Sequence, residues 1–215
     1  MEKEFWINKW EVGQIGFHNV KPHPFLIDNI ASLNLAQGSR IYLPLCGKTL
    51  DIDWLLQQGY RVVGVELAKK AIDDLFEELQ LTPVITVVGE LLHYQATDLD
   101  MFVGDVFELD QTLLGPVDAI YDRAALVALP PDTRIEYARH LIASTRKAPH
   151  LLVTFEYDQS QMSGPPFSIP EAEVMQHYGE HYQVKLEDQV GEAFRGSFPA
   201  IERVWSLTTQ QKDTQ

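Results

Sequence analysis

The segment RIYLPLCGKTLDIDWLLQQGYRVVGVEL, residues 40–67, predicts the class of fold. Its first apolar run, residues 40–45, predicts a buried strand, and residues 49–59 have helical spacing that ends at Gly59. A second apolar run, residues 60–67, predicts another buried strand. Because a strand, a helix and a second strand form one parallel crossover unit, the stretch predicts an α/β fold.

The same alternation continues after residue 67. The segments that follow predict a helix at 68–80, an edge strand and a hairpin between 84 and 109, strands at 117–123 and 150–158, a helix at 132–145 capped by Asp132, and a helix near 171–179. Two runs near the C-terminus, 182–190 and 200–209, predict an antiparallel pair at one sheet edge. We therefore expect one continuous α/β sheet.

Composition limits the classes of function. The chain has 215 residues, 45% of them hydrophobic, which is enough for one domain with a sizeable core. Its 17 Lys and Arg against 31 Asp and Glu give a net charge of −14, which argues against nucleic acid and membrane surfaces as partners. The charged N-terminus and the lack of an apolar run of about twenty residues predict a cytoplasmic protein.

The turn between the first strand and the first helix allows three interpretations. Gly47-Lys48-Thr49 matches the end of a phosphate loop, but Tyr42 stands where the first glycine of that motif belongs. A dinucleotide fingerprint needs three glycines, and this turn has one. Cys46, at a helix N-terminus, is a candidate reactive thiol. Because no partner base is evident in the sequence, we interpret Cys46 instead as a small apolar residue that contacts a cofactor.

Glu66 ends the second predicted strand, about twenty residues after the turn. At this position a carboxylate can accept hydrogen bonds from both ribose hydroxyls of a nucleoside. The alternative is a solvated acid at a strand end. A ribose-binding acid without a phosphate cradle points to S-adenosylmethionine rather than NAD.

Aromatic residues precede the first strand. Trp6 and Trp10 are four residues apart and share one face of a predicted helix, and Phe17 and His18 follow after a turn. Such a pair can simply pack in the hydrophobic core. Placed across the carboxyl ends of the strands, however, it predicts an aromatic lid whose ring faces suit a sulfonium cation and an adenine or a purine-like substrate.

Asp122 and Arg123 are the last two residues of the strand predicted at 117–123. The dipeptide can be a salt bridge at the entry of a loop. Alternatively, the planar fork of the Arg123 guanidinium can bind a carboxylate or orient a polar substrate.

Taken together, four segments resemble the thiopurine S-methyltransferase family, in particular its bacterial members. They are FWINKW with GFH, LPLCGKTLDIDWLLQQGYRVVGVEL, YDRAALVALPP and YDQSQMSGPPFSIP, and they extend from residue 5 to residue 170. The resemblance implies a class I methyltransferase fold, a Rossmann-like three-layer α/β/α domain with a seven-stranded, mostly parallel sheet. It also implies a lid at residues 1–36 and a core at residues 40–210.

The resemblance assigns roles to individual residues. Cofactor contacts are carried over to Trp6, Trp10, Leu45, Glu66, Asp105, Val106 and Arg123, substrate contacts to Phe17 and Arg123, and a catalytic role to Arg123. Animal members have an acid where Asn8 stands, and their substrate-side arginine has only Arg195 as a loose counterpart. The implied reaction methylates aromatic or heterocyclic thiols such as thiopurines, with S-adenosylhomocysteine as product and no metal, in a monomer.

Three alternatives remain at this stage. The segment HYGEH, residues 177–181, fits a zinc motif, although Gly179 disfavours a continuous helix there, and His18 and His23 are better explained by a polar surface or lid role. A module that binds S-adenosylmethionine without catalysis is the second alternative. Methylation of inorganic selenium or tellurium species, with which bacterial relatives are associated, is the third.

Overall fold

One sheet with helices on both faces organises the chain. The computed structural model describes residues 3–15, 18–194 and 197–209. Its helices are α1 (Lys3–Glu11), α2 (Pro24–Asn29), α3 (Leu50–Gln57), α4 (Lys69–Glu78), α5 (Gln111–Leu114), α6 (Pro131–Ser144) and α7 (Glu171–Tyr178). Its strands are β1 (Arg40–Pro44), β2 (Arg61–Glu66), β3 (Val84–Val88), β4 (Leu91–Ala96), β5 (Leu99–Val103), β6 (Ala119–Asp122), β7 (His150–Glu156), β8 (Tyr182–Phe194) and β9 (Phe198–Thr209). Among these helices none combines the length and the apolarity that crossing a bilayer requires.

The strand order creates a crevice at the centre of the sheet. The order is β3-β4-β5-β2-β1-β6-β7-β9-β8, and the five central strands from β5 to β7 are parallel. After β1 the chain first builds the sheet in one direction, through β2 and β5. It then returns to place β6 on the other side of β1. This reversal is a topological switch point, and ligands of open α/β sheets bind beside such points at the carboxyl ends of the strands.

The three-layer α/β/α class is confirmed, but the expected strand number is wrong. The described residues form nine strands rather than seven, and four of the eight pairings are antiparallel. The extra strands are β3 and β4, which Gly89 and Glu90 join by a two-residue turn too short for a parallel crossover. At the opposite edge, the predicted antiparallel pair is confirmed as β8 and β9.

Two hydrophobic clusters cover the two faces of the sheet. One cluster joins Tyr42, Val63 and Val65 to residues of α6 and α7. The other joins Ile41 and Leu43 to residues of α2, α3 and α4. Because successive side chains of a strand point to opposite faces, a nearly continuous apolar strand such as β1 supplies both clusters. The buried faces hold the carboxyl ends of the strands in fixed positions.

Two helix starts illustrate the local sequence rules. Thr49 caps α3, since its hydroxyl accepts the Asp51 N–H. The prediction that Asp132 caps the helix at 132–145 is wrong, because α6 begins at Pro131 with Pro130 as its cap residue. Proline suits the first helical position since its missing N–H has no partner within the helix.

Candidate functional site

The candidate site lies at the carboxyl edge of the parallel strands, beside the switch point. Strand β1 leads into the turn at 45–49, β2 ends at Glu66, and β6 ends at Asp122. The loop after β5 joins the same edge, because the Gly104 N–H donates to the Glu66 carbonyl at 2.9 Å. Segments predicted separately from the sequence therefore meet at one place.

The turn after β1 brings backbone and an aromatic ring into contact. Leu45 and Gly47 both have left-handed backbone angles, with φ of 46° and 54°. A Cβ atom at Gly47 would lie only 2.6 Å from Cζ2 of Trp10. Glycine is therefore required for two reasons, the positive φ and the close approach of the indole. The predicted contact partners Trp10 and Leu45 both lie at this turn.

Glu66 is buried at the centre of the site, with 6% of its surface exposed. Its Oε2 accepts the Gly47 N–H at 2.8 Å, and its Oε1 accepts the Ala68 N–H at 2.9 Å. Burial raises the pKa of the carboxyl, and these backbone hydrogen bonds oppose that rise. An ionised carboxylate has about four acceptor positions, so each oxygen keeps acceptor capacity for a ligand hydroxyl.

The same contacts argue against a phosphate loop. A phosphate loop directs its backbone N–H groups at the ligand. Here the Gly47 N–H donates to Glu66, and the Thr49 hydroxyl caps α3. The turn is built around a carboxylate.

Helix α1 connects the two sides of this part of the site. The Trp10 ring is buried against Ala68 and Ala71 at the start of α4. Lys3, at the other end of α1, forms an ion pair of 2.6 Å with Asp105, just after β5. Trp6 is half-buried between these two anchors and packs edge-to-face on Phe5. The lid expected from the sequence stays a prediction, and Phe17 lies outside the described residues.

Asp105 and Val106 shape the loop after β5. The Asp105 side chain accepts the Phe107 N–H at 3.1 Å and so caps a 3-10 turn at Val106–Glu108. Val106 is 4% exposed and packs in the core cluster on the α6 face. Their predicted contact with an adenine stays a prediction.

Arg123 is bound to α3. Its Nε donates to Asp51 Oδ2 and its Nη2 to Thr49 Oγ1, both at 2.9 Å. Asp51 is 1% exposed and also accepts the His23 backbone N–H at 2.7 Å and the Tyr121 hydroxyl at 3.2 Å. The interpretation of Asp122 and Arg123 as a mutual salt bridge is therefore wrong. The guanidinium is held at the switch point with Nη1 outside these hydrogen bonds.

Asp51, Thr49 and His23 are site residues that the sequence reasoning missed. The sequence analysis treats Asp51 as a helix residue and Thr49 as a helix residue or the end of a phosphate loop, although a Thr-x-Asp pair that opens a helix after a strand is a recognisable signal. His23 is 8% exposed, caps α2 and lies 3.2 Å from Glu202. Of the two roles expected for His23, the polar surface is wrong, and the lid role stays a prediction.

His18 faces the site from the segment after α1. It is half-buried, and burial lowers its pKa, with the positive charges of Lys48 and Arg123 adding to that effect. Arg195, the loose candidate for a substrate-side arginine, lies outside the described residues.

The HYGEH segment does not form a helical zinc motif. Helix α7 ends at Tyr178, as Gly179 predicts, so the two histidines do not share one helix face. His177 lies 3.2 Å from Glu173 instead. Within residues 3–15, 18–194 and 197–209, no three potential ligands come together for a metal ion.

Cys46 belongs to the interior beneath the turn. Its Sγ lies 3.7 Å from the Val65 carbonyl, and a Cβ at Gly64 would approach that sulfur to 2.9 Å. Burial, reinforced by the charge of Glu66, raises the pKa of the thiol well above its usual value. A reactive cysteine needs the opposite shift.

We expect the folded protein to resist thiol reagents at pH 8. Because Cys46 is buried and protonated, labelling by a disulfide reagent should be at least about a hundredfold slower than in protein unfolded by urea. Cys46→Ala should keep the catalytic activity within about threefold of wild type, since it removes one small buried group. Fast labelling of the folded protein, together with loss of activity in Cys46→Ala, would show instead that Cys46 is a reactive, catalytic thiol.

Comparison with known proteins gives the family. The family model described as Thiopurine S-methyltransferase matches residues 1–205. A thiopurine S-methyltransferase of Xanthobacter autotrophicus is 49% identical over 210 residues, which cover 96% of this chain and 99% of that protein. One of Acinetobacter baylyi is 42% identical over 217 residues, with coverage of 98% and 100%.

Solved structures share the fold at low identity. The 1,6-didemethyltoxoflavin-N1-methyltransferase of Burkholderia thailandensis, solved with S-adenosylhomocysteine, has a TM-score of 0.66 at 17% identity, covering 96% of this chain and 87% of its own. The magnesium protoporphyrin IX methyltransferase of Synechocystis has a TM-score of 0.65 at 12% identity, covering 97% and 100%. The fold is that of these methyltransferases, and the match along almost the whole sequence shows that the chain belongs to the thiopurine S-methyltransferase family.

Proposed function

We propose that the protein transfers the methyl group of S-adenosylmethionine to the sulfur of an aromatic or heterocyclic thiol such as a thiopurine. The observation that carries the proposal is Glu66, a buried carboxylate at the end of β2 beside the switch point. Family membership supplies the reaction class, and the site supplies the means of binding.

The residues of the site fit S-adenosylmethionine. Both Glu66 oxygens are oriented by backbone N–H groups and keep acceptor positions for the two ribose hydroxyls. The Gly47 position has no room for a side chain, so the Trp10 ring lies directly on the turn. Ring faces attract cations, and the Trp10 indole is therefore suited to a sulfonium group. We assign Leu45, Asp105 and Val106 to the nucleoside side.

Arg123 belongs to the acceptor side of the proposal. Its Nε and Nη2 are fixed by Asp51 and Thr49, so the guanidinium does not need to be ordered when a substrate arrives. Nη1, which takes no part in these two hydrogen bonds, is the donor that we assign to the anionic acceptor. A fixed cation favours the thiolate over the neutral thiol.

Positioning provides most of the proposed acceleration. S-adenosylmethionine supplies a sulfonium-bound methyl group, which a thiolate can take by in-line displacement. Heterocyclic thiols ionise near neutral pH, so this chain needs mainly to hold the acceptor in line and to exclude water. We propose that residues 1–36 form the cover that excludes water. Within this segment, α1 is anchored at Gly47 through Trp10 and at Asp105 through Lys3. A cytoplasmic location and a monomeric state stay predictions.

Calorimetry followed by product analysis tests the proposal. Titration of the protein with S-adenosylmethionine should show one site per chain, and addition of 6-mercaptopurine should yield S-adenosylhomocysteine and the S-methylated purine in equal amounts. Parallel reactions contain selenite or tellurite instead of the thiol.

Each outcome identifies one alternative. If S-adenosylhomocysteine forms with selenite or tellurite but not with the thiol, the methyl acceptor is a metalloid species rather than a thiol. Binding without transfer to any acceptor would indicate a non-catalytic module. Absence of binding would overturn the cofactor assignment and with it the proposal.

A further inference from the structure

A group of buried polar side chains lies on the α6 and α7 face of the sheet, behind the turn that carries Arg123. Its members, which we call the buried polar cluster, are each 2% exposed or less: Tyr42, Asp122, Tyr137, His150, Tyr178 and Tyr182. The register aligns Tyr42 and His150 with Ile120, and Asp122 lies two residues further along the same strand. These strand residues therefore share one face of the sheet.

Asp122 is the acidic member of this cluster, and neutral groups hold it. Its Oδ1 accepts the Leu126 N–H at 3.1 Å, and its Oδ2 accepts the Tyr137 hydroxyl at 2.7 Å. His150 Nε2 lies 4.0 Å from Oδ2, but burial lowers the pKa of His150 to about 3, so this imidazole is neutral. The carboxylate thus has no cationic partner among the described residues.

The rest of the cluster offers further neutral polar atoms. The hydroxyls of Tyr42 and Tyr178 and both His150 ring nitrogens have no hydrogen-bond partner among the described residues. Buried polar atoms are almost always paired, and internal water is the usual partner when protein groups are not. Asp122 therefore borders a polar interior that can accommodate its protonated as well as its ionised form.

The turn held by Asp122 contains a strained residue. Ala124 has a φ of 62°, in the left-handed region that disfavours residues with a Cβ atom. The hydrogen bond from Leu126 to Asp122 closes this turn immediately after Arg123. Beyond it, the Val127 carbonyl accepts the Phe167 N–H at 2.6 Å, so the turn also supports the Gly-Pro-Pro-Phe loop. The carboxylate is placed to keep the backbone of Arg123 in position.

We propose that Asp122 is a positioning residue for methyl transfer, whose ionised carboxylate closes the turn at residues 122–126 and thereby fixes Arg123 on the acceptor side. This inference rests on the proposed function, because that function assigns Arg123 to the acceptor. Protonation of Asp122 weakens the hydrogen bond that its carboxylate accepts from the Leu126 N–H, because the acceptor loses its charge. The turn is then held less firmly.

The direction of the pH dependence follows from the cluster. Burial raises the pKa of Asp122 to about 6, and the N–H groups of Leu126 and Ala125 and the Tyr137 hydroxyl lower it only in part. The titratable groups that face it are Tyr42 of β1, Tyr137 of α6, His150 of β7 and Tyr178 of α7. Tyr182 of β8 contacts Tyr178, with ring centroids 6.2 Å apart. Burial raises the pKa of each tyrosine, so these groups stay neutral between pH 5 and 8. Turnover should therefore rise as Asp122 ionises with increasing pH.

The experiment compares kcat and KM from pH 5 to 8.5 for wild type, Asp122→Asn, Tyr137→Phe and the control Tyr182→Phe, with one thiol acceptor. Ionisation of the thiol acceptor affects wild type and variants equally, so its effect cancels when the kcat of wild type is divided by that of a variant at each pH. We expect the ratio of wild type to Asp122→Asn in kcat to rise about tenfold with a midpoint near pH 6, since one charge-assisted hydrogen bond is gained. For Tyr137→Phe, the kcat profile divided by that of Asp122→Asn should have its midpoint at a higher pH than for wild type, because the ionised Asp122 carboxylate loses the Tyr137 hydroxyl as a donor. Tyr182→Phe should match wild type.

The outcomes separate this inference from the proposed function. A pH-independent ratio for Asp122→Asn, or an unshifted profile for Tyr137→Phe in folded protein, would overturn the positioning role while methyl transfer by wild type stands. Absence of methyl transfer by wild type at pH 7.5 would overturn both.

Discussion

Glu66→Gln is expected to weaken the binding of S-adenosylmethionine by about a hundredfold or more. In wild type, two backbone N–H groups hold the ionised carboxylate in place, and its remaining acceptor positions face the proposed ribose hydroxyls. Hydrogen bonds to a charged group contribute about 1.5–3 kcal/mol each, and 1.4 kcal/mol corresponds to a factor of ten. Glutamine loses the charge and one acceptor oxygen, so both ligand bonds weaken.

The stability of the unliganded protein should change little in Glu66→Gln. Because burial raises the pKa of Glu66 in the folded state, the folded protein binds this proton more tightly than the unfolded chain does. Stability from this group is therefore lost as pH rises through the interval above the usual pKa of 4.5, and glutamine avoids that loss. An unpaired backbone N–H opposes the gain. We expect Tm to change by only a few degrees.

Calorimetry against pH provides the control for Glu66. The affinity of wild type should fall as acid protonates Glu66, beginning at a higher pH than for an exposed glutamate, whereas the affinity of Glu66→Gln should not depend on pH in that range. The exposed Glu136→Gln is the matched variant and should bind like wild type. Equal affinity of Glu66→Gln and wild type at pH 7.5 would remove the ribose assignment.

The central architecture could be predicted because its patterns are local. Apolar runs and helical spacing determine each strand and helix of the parallel core, and the single crossover at residues 40–67 sets the class of fold. The strand number was wrong because it was carried over from the family resemblance. Residues 84–109 by themselves predict an edge strand and a hairpin, but a hairpin such as β3 and β4 extends the sheet without a crossover, so the crossover pattern does not count it.

Site residues could be predicted only where their role follows from their position within a strand or a helix. Glu66 and Trp10 are recognisable because the end of a strand and the face of a helix follow from local periodicity. The binding of Arg123 to Asp51 joins residues 72 positions apart and depends on how α3 packs beside β6. Burial likewise decided that Cys46 is an inert interior thiol and that His23 is a cap. Such properties arise from packing, which the sequence pattern does not specify.

Arg123→Ala is expected to lower both turnover and stability. From the sequence alone, we expect turnover to fall more than stability. The structure adds a cost, because Asp51 is 1% exposed and would lose its cation. Breaking a buried ion pair by removing one partner costs about 3–5 kcal/mol. For a chain of this size each 1 kcal/mol lowers Tm by about 2–4 °C, so thermal unfolding should occur about 6–20 °C lower. Loss of a fixed positive donor should lower kcat about a hundredfold.

A double variant separates these two effects of Arg123. Asp51→Asn, combined with Arg123→Ala, removes the stranded charge while its Oδ1 still accepts the His23 N–H and its amide can donate to Thr49. Because the two residues are in contact, their effects on the free energy of unfolding should not add, and most of the lost Tm should return. Turnover should stay about a hundredfold low, since the donor to the acceptor is still missing. Recovery of turnover together with Tm would show that Arg123 acts only by stabilising the fold.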